Sequence, residues 1–402
     1  MSLRFASIAL CSALATLAGC SAGTEAPLGT GSAPIINGVA SGPDDDAAIG
    51  IALMSGGSFA GFCSGVLIAE NLVLTARHCV SNTGSGGIAC TKDGKPISGG
   101  TVGADHAPSD LQVLVGASAR MTFDAKGIQI LHPDVRNLCN NDIALIVLDH
   151  KLAGAKLAQI RLDTPPVKGE TITAVGWGVS NNSRGYGRRR RASIPIVGVG
   201  PSAGGSIGGA IGSGEFAIGE GICSGDSGGP AFDSKSGAVI GVVSRGGNGN
   251  PGDPSTDPSI ECVDTVDYVT HNIYTRTDAF KDIIMQGFEA AGAEPWLEGG
   301  PDPRKAKFGE TCGSPEECRS ALCIGTPSGQ ICSQICATDN PCPDGYSCVD
   351  AGGATVCAPK VEPPPATTSK KGCSYSGETG GSQAFLVGFA ALSLAVARRR
   401  RK

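Results

Sequence analysis

Three short stretches carry the groups that acyl transfer needs. Gly225-Asp226-Ser227-Gly228-Gly229-Pro230 sets a hydroxyl among residues with little side chain, so a carbonyl can approach and backbone N–H groups can converge on it. Leu74-Thr75-Ala76-Arg77-His78-Cys79 ends an apolar run on a histidine, and Asn141-Asp142-Ile143-Ala144-Leu145 opens another on a carboxylate. A hydroxyl is a weak nucleophile near neutral pH, so it requires a neighbouring base, a group that orients the base, and donors for the oxyanion. Taken singly, the three are a glycine-rich turn, a strand-end histidine and a cap or edge carboxylate. Their conjunction points to acyl transfer to an activated hydroxyl. His106, His132, His150 and His271 read as surface or structural histidines.

These groups need a frame. The 402 residues allow two or three folded units. Between 35 and 292, short Val- and Ile-rich runs at 50–54, 65–68, 72–74, 111–115, 143–148, 171–175 and 239–243 alternate with Gly, Asn, Asp and Ser clusters. Runs of that length predict strands, and their regular recurrence predicts an all-β sandwich or barrel. Phe280, Ile283, Ile284 and Phe288 follow helical spacing and predict one closing helix. With 61 Gly and 25 Pro the chain is too turn-rich for a coiled coil, and the glycines lack a collagen period. A net charge of −5, with the basic run Arg188 to Arg191 too short to matter, excludes a nucleic-acid partner. Asp44-Asp45-Asp46 reads as a solvated turn, lacking the interleaved ligands of a calcium loop, so no metal or cofactor is expected.

Together the three motifs resemble the chymotrypsin-like serine peptidase family over residues 35–292, with lesser echoes in Leu131-His132-Pro133, Gly176-Trp177-Gly178 and Ile273-Tyr274-Thr275-Arg276. The resemblance implies two antiparallel six-stranded β-barrels meeting at a cleft, with a C-terminal helix. It makes Ser227 the nucleophile, His78 the general base and then acid, and Asp142 the buried carboxylate that fixes the imidazole tautomer. The N–H groups of Gly225 and Ser227 would form the oxyanion hole. Ile35-Ile36-Asn37-Gly38 matches the family's activation sequence, so cleavage before Ile35 would free an ammonium to pair with Asp226. Pro34 in front of it points to an activating protease unlike trypsin. Gly221 occupies the pocket-floor position where trypsin has an aspartate. With Ile222, Gly246 and Asn272 it implies preference for small or medium apolar residues before the scissile bond, although Asn272 could hydrogen-bond a polar one. Residues 244–246, beginning at Ser244, would offer a backbone edge to the peptide substrate. The resemblance also implies Cys63–Cys79 and Cys223–Cys262 disulfides, leaving Cys90 and Cys139 as a third pair. The rival is a catalytically silent homologue acting as a cell-surface binding protein, for which Arg77 beside His78 and the unusual activation site speak. A lipase or esterase would need a strand-turn-helix elbow that these β-rich surroundings lack.

The 17 cysteines fall as two in the first twenty residues, six from Cys63 to Cys262, eight from Cys312 to Cys357, and Cys373 alone. Even groupings read as disulfides in an exported chain. Residues 1–20 form a signal peptide whose end, Leu17-Ala18-Gly19-Cys20, resembles a lipobox with Cys20 as the lipidated residue. Residues 21–34 read as a propeptide or tether, 35–292 as the peptidase domain and 293–308 as a linker. Residues 309–358 form a cysteine-rich module whose eight cysteines, without a histidine among them, favour disulfides over zinc with the pairing left open. A Pro-rich linker, 359–372, precedes a tail at 373–402. There Cys373, an apolar run too short to span a bilayer comfortably, and a terminal Arg cluster resemble a MYXO-CTERM sorting signal. The expected location is the outer membrane or cell surface, or the medium after release, with a lipid anchor or sorting protease as membrane partner. The oligomeric state is left open.

Overall fold

The computed structural model describes residues 35–84, 87–118, 120, 122–178, 187–203, 210–250 and 260–360. Cys20, Cys373, the tether and the tail lie outside them.

Six strands close the first barrel: β1 (Ala48–Ser55), β2 (Ser58–Ala69), β3 (Leu72–Thr75), β4 (Leu111–Leu114), β5 (Ala125–Leu131) and β6 (Ala144–Leu148). Six more form the second: β7 (Thr171–Gly176), β8 (Arg189–Val199), β9 (Glu215–Ile218), β10 (Pro230–Asp233), β11 (Val239–Gly247) and β12 (His271–Arg276). Around the first barrel the order is β1-β2-β3-β6-β5-β4, and around the second β7-β8-β9-β12-β11-β10. The two circuits are therefore identical in topology, and every pairing within them is antiparallel. A short strand, Val39–Ala40, adds to β8 from outside.

Local sequence accounts for the joints. β1 turns into β2 through Gly56 and Gly57, both at positive φ (57° and 81°), as a two-residue hairpin turn matching strand twist requires. The buried faces are the Val, Ile and Leu runs: Ile49, Leu67 and Val73 meet inside the first barrel, and Ile172, Ile196 and Ile240 inside the second. α1 (Lys281–Ala290), entered through a 3-10 turn at Asp278–Phe280, buries Ile284 and Phe288 in a cluster that also takes Leu145 of β6 and Val242 of β11. A Cβ at Gly287 would lie 2.6 Å from Leu145 Cδ2, so only glycine lets α1 settle on β6.

Two residues of the acidic run pair with two of the basic run, contrary to the expected solvated turn, while Asp44 stays exposed. Asp45 is buried, accepts the Ser41 hydroxyl at 2.8 Å and faces Arg190, while Asp46 takes the buried Arg188 guanidinium. Beyond α1, residues 293–308 lie against the segment that joins the two barrels, where Ile160 donates to the Trp296 carbonyl and Glu298 receives the Arg161 side chain, and Trp296 packs against the first barrel's core. The cysteine-rich module is two hairpins, Cys323–Thr326 with Gly329–Cys332 and Tyr346–Asp350 with Thr355–Pro359. Cys312–Cys323, Cys318–Cys332, Cys336–Cys348 and Cys342–Cys357 staple them in place of a large core. Among the described residues no helix is long and apolar enough to cross a membrane.

Candidate active site

β3 and β6 are hydrogen-bonded neighbours, with Thr75 opposite Ala144. The chain leaving Thr75 and the chain entering Ala144 therefore run side by side. The first folds at once into a 3-10 turn, Arg77–Cys79, that carries His78; the second carries Asp142. The strand register thus brings the imidazole to the carboxylate.

Asp142 is fully buried and takes three hydrogen bonds. Its Oδ2 lies 2.8 Å from His78 Nδ1 and accepts the Ser244 hydroxyl at 2.7 Å; its Oδ1 accepts the His78 backbone N–H at 3.0 Å. Burial alone would push this carboxyl up, but the facing imidazole, its hydrogen bond, the His78 amide and the Ser244 hydroxyl outweigh it and hold Asp142 below the usual carboxylate range. The opposite balance acts on His78. Burial disfavours its cation, yet the Asp142 charge and hydrogen bond prevail and raise the imidazole above an ordinary histidine. An ionised carboxylate only accepts, so Nδ1 carries a proton and Nε2 is left as the basic nitrogen. The His78 side chain keeps 19% exposure, enough to meet an incoming group.

Ser227 reaches this corner from the loop between β9 and β10. Its carbonyl accepts the Ser64 N–H at 2.8 Å and lies 3.6 Å from Cys79 Sγ, next to the histidine. Gly228, at φ +76°, presses the loop onto β3: a Cβ there would stand 2.1 Å from Thr75 Oγ1. Among the described residues the imidazole bonds to Asp142 and the Ser227 hydroxyl makes no hydrogen bond, a link that substrate-free sites often tighten only on binding. The N–H groups of Gly225, at φ +92°, and Ser227 donate to no acceptor among the described residues.

Asp226 points the other way, into the protein. Fully buried, it accepts N–H groups from Gly178 (2.9 Å), Cys223 (2.9 Å) and Ile35 (3.2 Å). Gly176 and Gly178 make its room, since a Cβ on either would fall within 2.8 Å of Asp226 Oδ1. Burial raises Asp226 to about 6 despite these three donors. In the uncut chain the Ile35 nitrogen is a peptide amide, and Ile35 itself is fully buried in the second barrel's apolar cluster.

Behind the Ser227 loop, Ile222 is buried in the same cluster, and a Cβ at Gly221 would touch Ile194 and Ile218 at 3.1 Å. Asn272 on β12 donates Nδ2 to the Gly219 carbonyl at 2.8 Å, while its Oδ1 stands 1.9 Å from where a Gly246 Cβ would be. Its side chain thus occupies the space beside Gly246. Cys63–Cys79, Cys90–Cys139 and Cys223–Cys262 are all formed, bracing the histidine turn, the loop before Asp142 and the loop before Ser227.

Two contributors escape the sequence. Ser64 straps the Ser227 loop, donating Oγ to Gly225 O at 3.0 Å and accepting the Trp177 N–H at 2.9 Å. Ser244, expected to lend only its backbone to a substrate, has a further part that the sequence does not show: its hydroxyl donates to Asp142. A serine after a cysteine or inside a Val-rich run has no signature of its own.

Comparison with known proteins follows the same residues. A family model described as Trypsin matches residues 36–261. The chain is 27% identical over 249 residues to a trypsin of Phaedon cochleariae, spanning 57% of this chain and 79% of that protein. It is 25% identical over 247 residues to a trypsin of Saccharopolyspora erythraea, spanning 57% and 88% respectively. It is 29% identical over 219 residues to Hypodermin-B of Hypoderma lineatum, spanning 50% and 74%.

Proposed function

Because the chain belongs to the trypsin family of serine peptidases, we propose that it hydrolyses peptide bonds through an acyl-enzyme on Ser227. The observation that carries this reading is the buried Asp142 holding His78 Nδ1, which leaves Nε2 as base beside the Ser227 loop. Ser227 Oγ attacks the carbonyl carbon as its proton passes to Nε2, and Asp142 stays ionised throughout. The oxyanion takes the Gly225 and Ser227 N–H groups. His78 then protonates the leaving amine, and a water, deprotonated by the same imidazole, releases the acyl group.

Asn272 supports a narrow specificity. With its side chain beside Gly246 and no carboxylate at Gly221, the pocket suits small residues before the scissile bond and disfavours Lys and Arg. Activation fits cleavage before Ile35, because the buried nitrogen of Ile35 already lies against Asp226 and would gain a charge there. Seven disulfides among the described residues suit an extracellular, oxidising setting. Lipidation of Cys20 and sorting through Cys373 complete the proposal. Activation would then also separate the peptidase from its first anchor.

The test is peptide-library cleavage by protein processed before Ile35. Cuts after small residues, lost in Ser227→Ala, are expected. Cuts concentrated after Lys or Arg would refute the pocket assignment, and no cuts at all would leave the silent binding homologue.

A further inference from the structure

Directly behind the triad carboxylate sits a buried ion pair for which the reaction has no evident need. Glu215 opens β9 and Arg245 follows Ser244 on β11; their side chains are 0% and 6% exposed. Arg245 meets the carboxylate as a fork, Nη1 to Oε1 at 2.7 Å and Nη2 to Oε2 at 2.9 Å. Each oxygen also takes a backbone N–H: Asn140 donates to Oε1 at 2.9 Å and Gly212 to Oε2 at 2.8 Å. Four donors fill the four acceptor positions of one carboxylate.

The placement of these donors is the informative part. Asn140 stands just before Asp142 in the first barrel, in a left-handed conformation (φ +65°) that needs outside support. Its side chain is held as well, donating Nδ2 to Ser213 Oγ at 3.2 Å and accepting the Gly214 N–H. Arg245 stands just after Ser244 in the second barrel, and the Ser244 hydroxyl is one of the three donors on Asp142. Glu215 thus grips the chain on both sides of the Asp142–Ser244 hydrogen bond and joins the two barrels at that point.

We propose that Glu215 and Arg245 are positioning residues for Asp142, a clamp that fixes the loop bearing it against the strand bearing Ser244. The inference rests on the peptidase reading and deepens it. Bidentate geometry suits this task, since an arginine fork defines direction as well as distance. A buried pair of this kind is weak evidence of stability, because well-packed apolar residues often replace one at no loss. Its specific product here is the orientation of a third group. A small misplacement of the base can lower turnover by up to about 100-fold.

The experiment compares the processed protein with Glu215→Met/Arg245→Leu and with Arg245→Lys. In the apolar double variant, which also leaves the Asn140 and Gly212 N–H groups without their acceptor, the denaturation midpoint should fall modestly, while kcat of the folded protein falls by roughly 10–100-fold with KM little changed. The acid limb of kcat/KM should move to lower pH as the imidazole loses its carboxylate, and the low-field NMR proton of His78 Nδ1 should shift or broaden. Arg245→Lys, which keeps the charge and loses the fork, should show the same changes to a smaller degree. A folded double variant with unchanged kcat, acid limb and low-field proton overturns the clamp. If the double variant does not fold, unchanged values in Arg245→Lys overturn it. Should the wild-type protein cleave no peptide, the peptidase reading fails while the low-field proton still reports on the clamp.

Discussion

The Ser244 hydroxyl donates to Asp142 Oδ2 at 2.7 Å, so the two barrels share a hydrogen bond on the buried carboxylate that orients His78. Ser244→Ala removes a neutral donor from a buried charge, a loss of about 1.5–3 kcal/mol. We expect lower stability and a reduced kcat, measured by urea denaturation and peptide kinetics on the same preparation. An unaffected kcat would show that the Asp142 orientation does not depend on the second barrel.

Asp142 raises the basicity of His78, and in the proposed mechanism the neutral imidazole is the working form. The kcat/KM profile should therefore climb through a pKa above the ordinary histidine value of about 6.5. Asp142→Asn removes both the charge and the correct tautomer, with kcat expected to fall on the order of 10⁴-fold. A wild-type limb below pH 6 would contradict the electrostatics described here.

In the uncut chain the Asp226 pKa is raised from 3.8 to about 6, so the folded state binds this proton more tightly than the unfolded state does. The associated stability is complete below about pH 4 and is lost as pH rises through about 6, a change of about 3 kcal/mol. Asp226→Asn in the uncut chain should abolish that component, and so should cleavage before Ile35, because the new ammonium favours the ionised carboxylate. Denaturant unfolding at pH 4 and pH 7 tests this. Parallel behaviour of the uncut wild type and Asp226→Asn would exclude it.

Asn272→Gly should open the space beside Gly246 and raise the relative kcat/KM for larger apolar residues before the scissile bond. Gly246→Ala should act oppositely, since its Cβ would collide with Asn272 Oδ1 and force that side chain to move. Identical substrate preferences in the two variants would remove Asn272 from the pocket.

Phe288→Ala would empty a fully buried site where α1 meets both barrels, at a cost of about 3–5 kcal/mol. Loss of stability well under 1 kcal/mol in a denaturation curve would mean that the helix is not part of the cooperative unit.

The all-β architecture is legible because β1, β2, β3, β4, β6, β7 and β11 each carry a short run rich in Val, Ile and Leu that the structure largely buries. β8 is hidden, since it opens on Arg189, Arg190 and Arg191, which find partners elsewhere: Arg189 the Gly38 carbonyl, Arg190 Asp45 and Arg191 Glu220. β9 opens on Glu215, unreadable as a strand residue until Arg245 is known to cover it. The same division holds at the site. His78, Asp142 and Ser227 stand out by type and local setting, whereas Ser64, Ser244 and Glu215 matter through partners far along the chain. Asp45 and Asp46 looked solvated for the same reason: the arginines that cover them, Arg190 of β8 and Arg188 just before it, are far along the chain.

The most direct measurement is fluorophosphonate labelling of protein processed before Ile35, followed by peptide mapping. One phosphonyl group on Ser227, absent in Ser227→Ala and strongly slowed in His78→Ala, is the predicted result. Folded, processed protein that remains unlabelled, or that labels equally fast without His78, would contradict the proton transfer from Ser227 to His78.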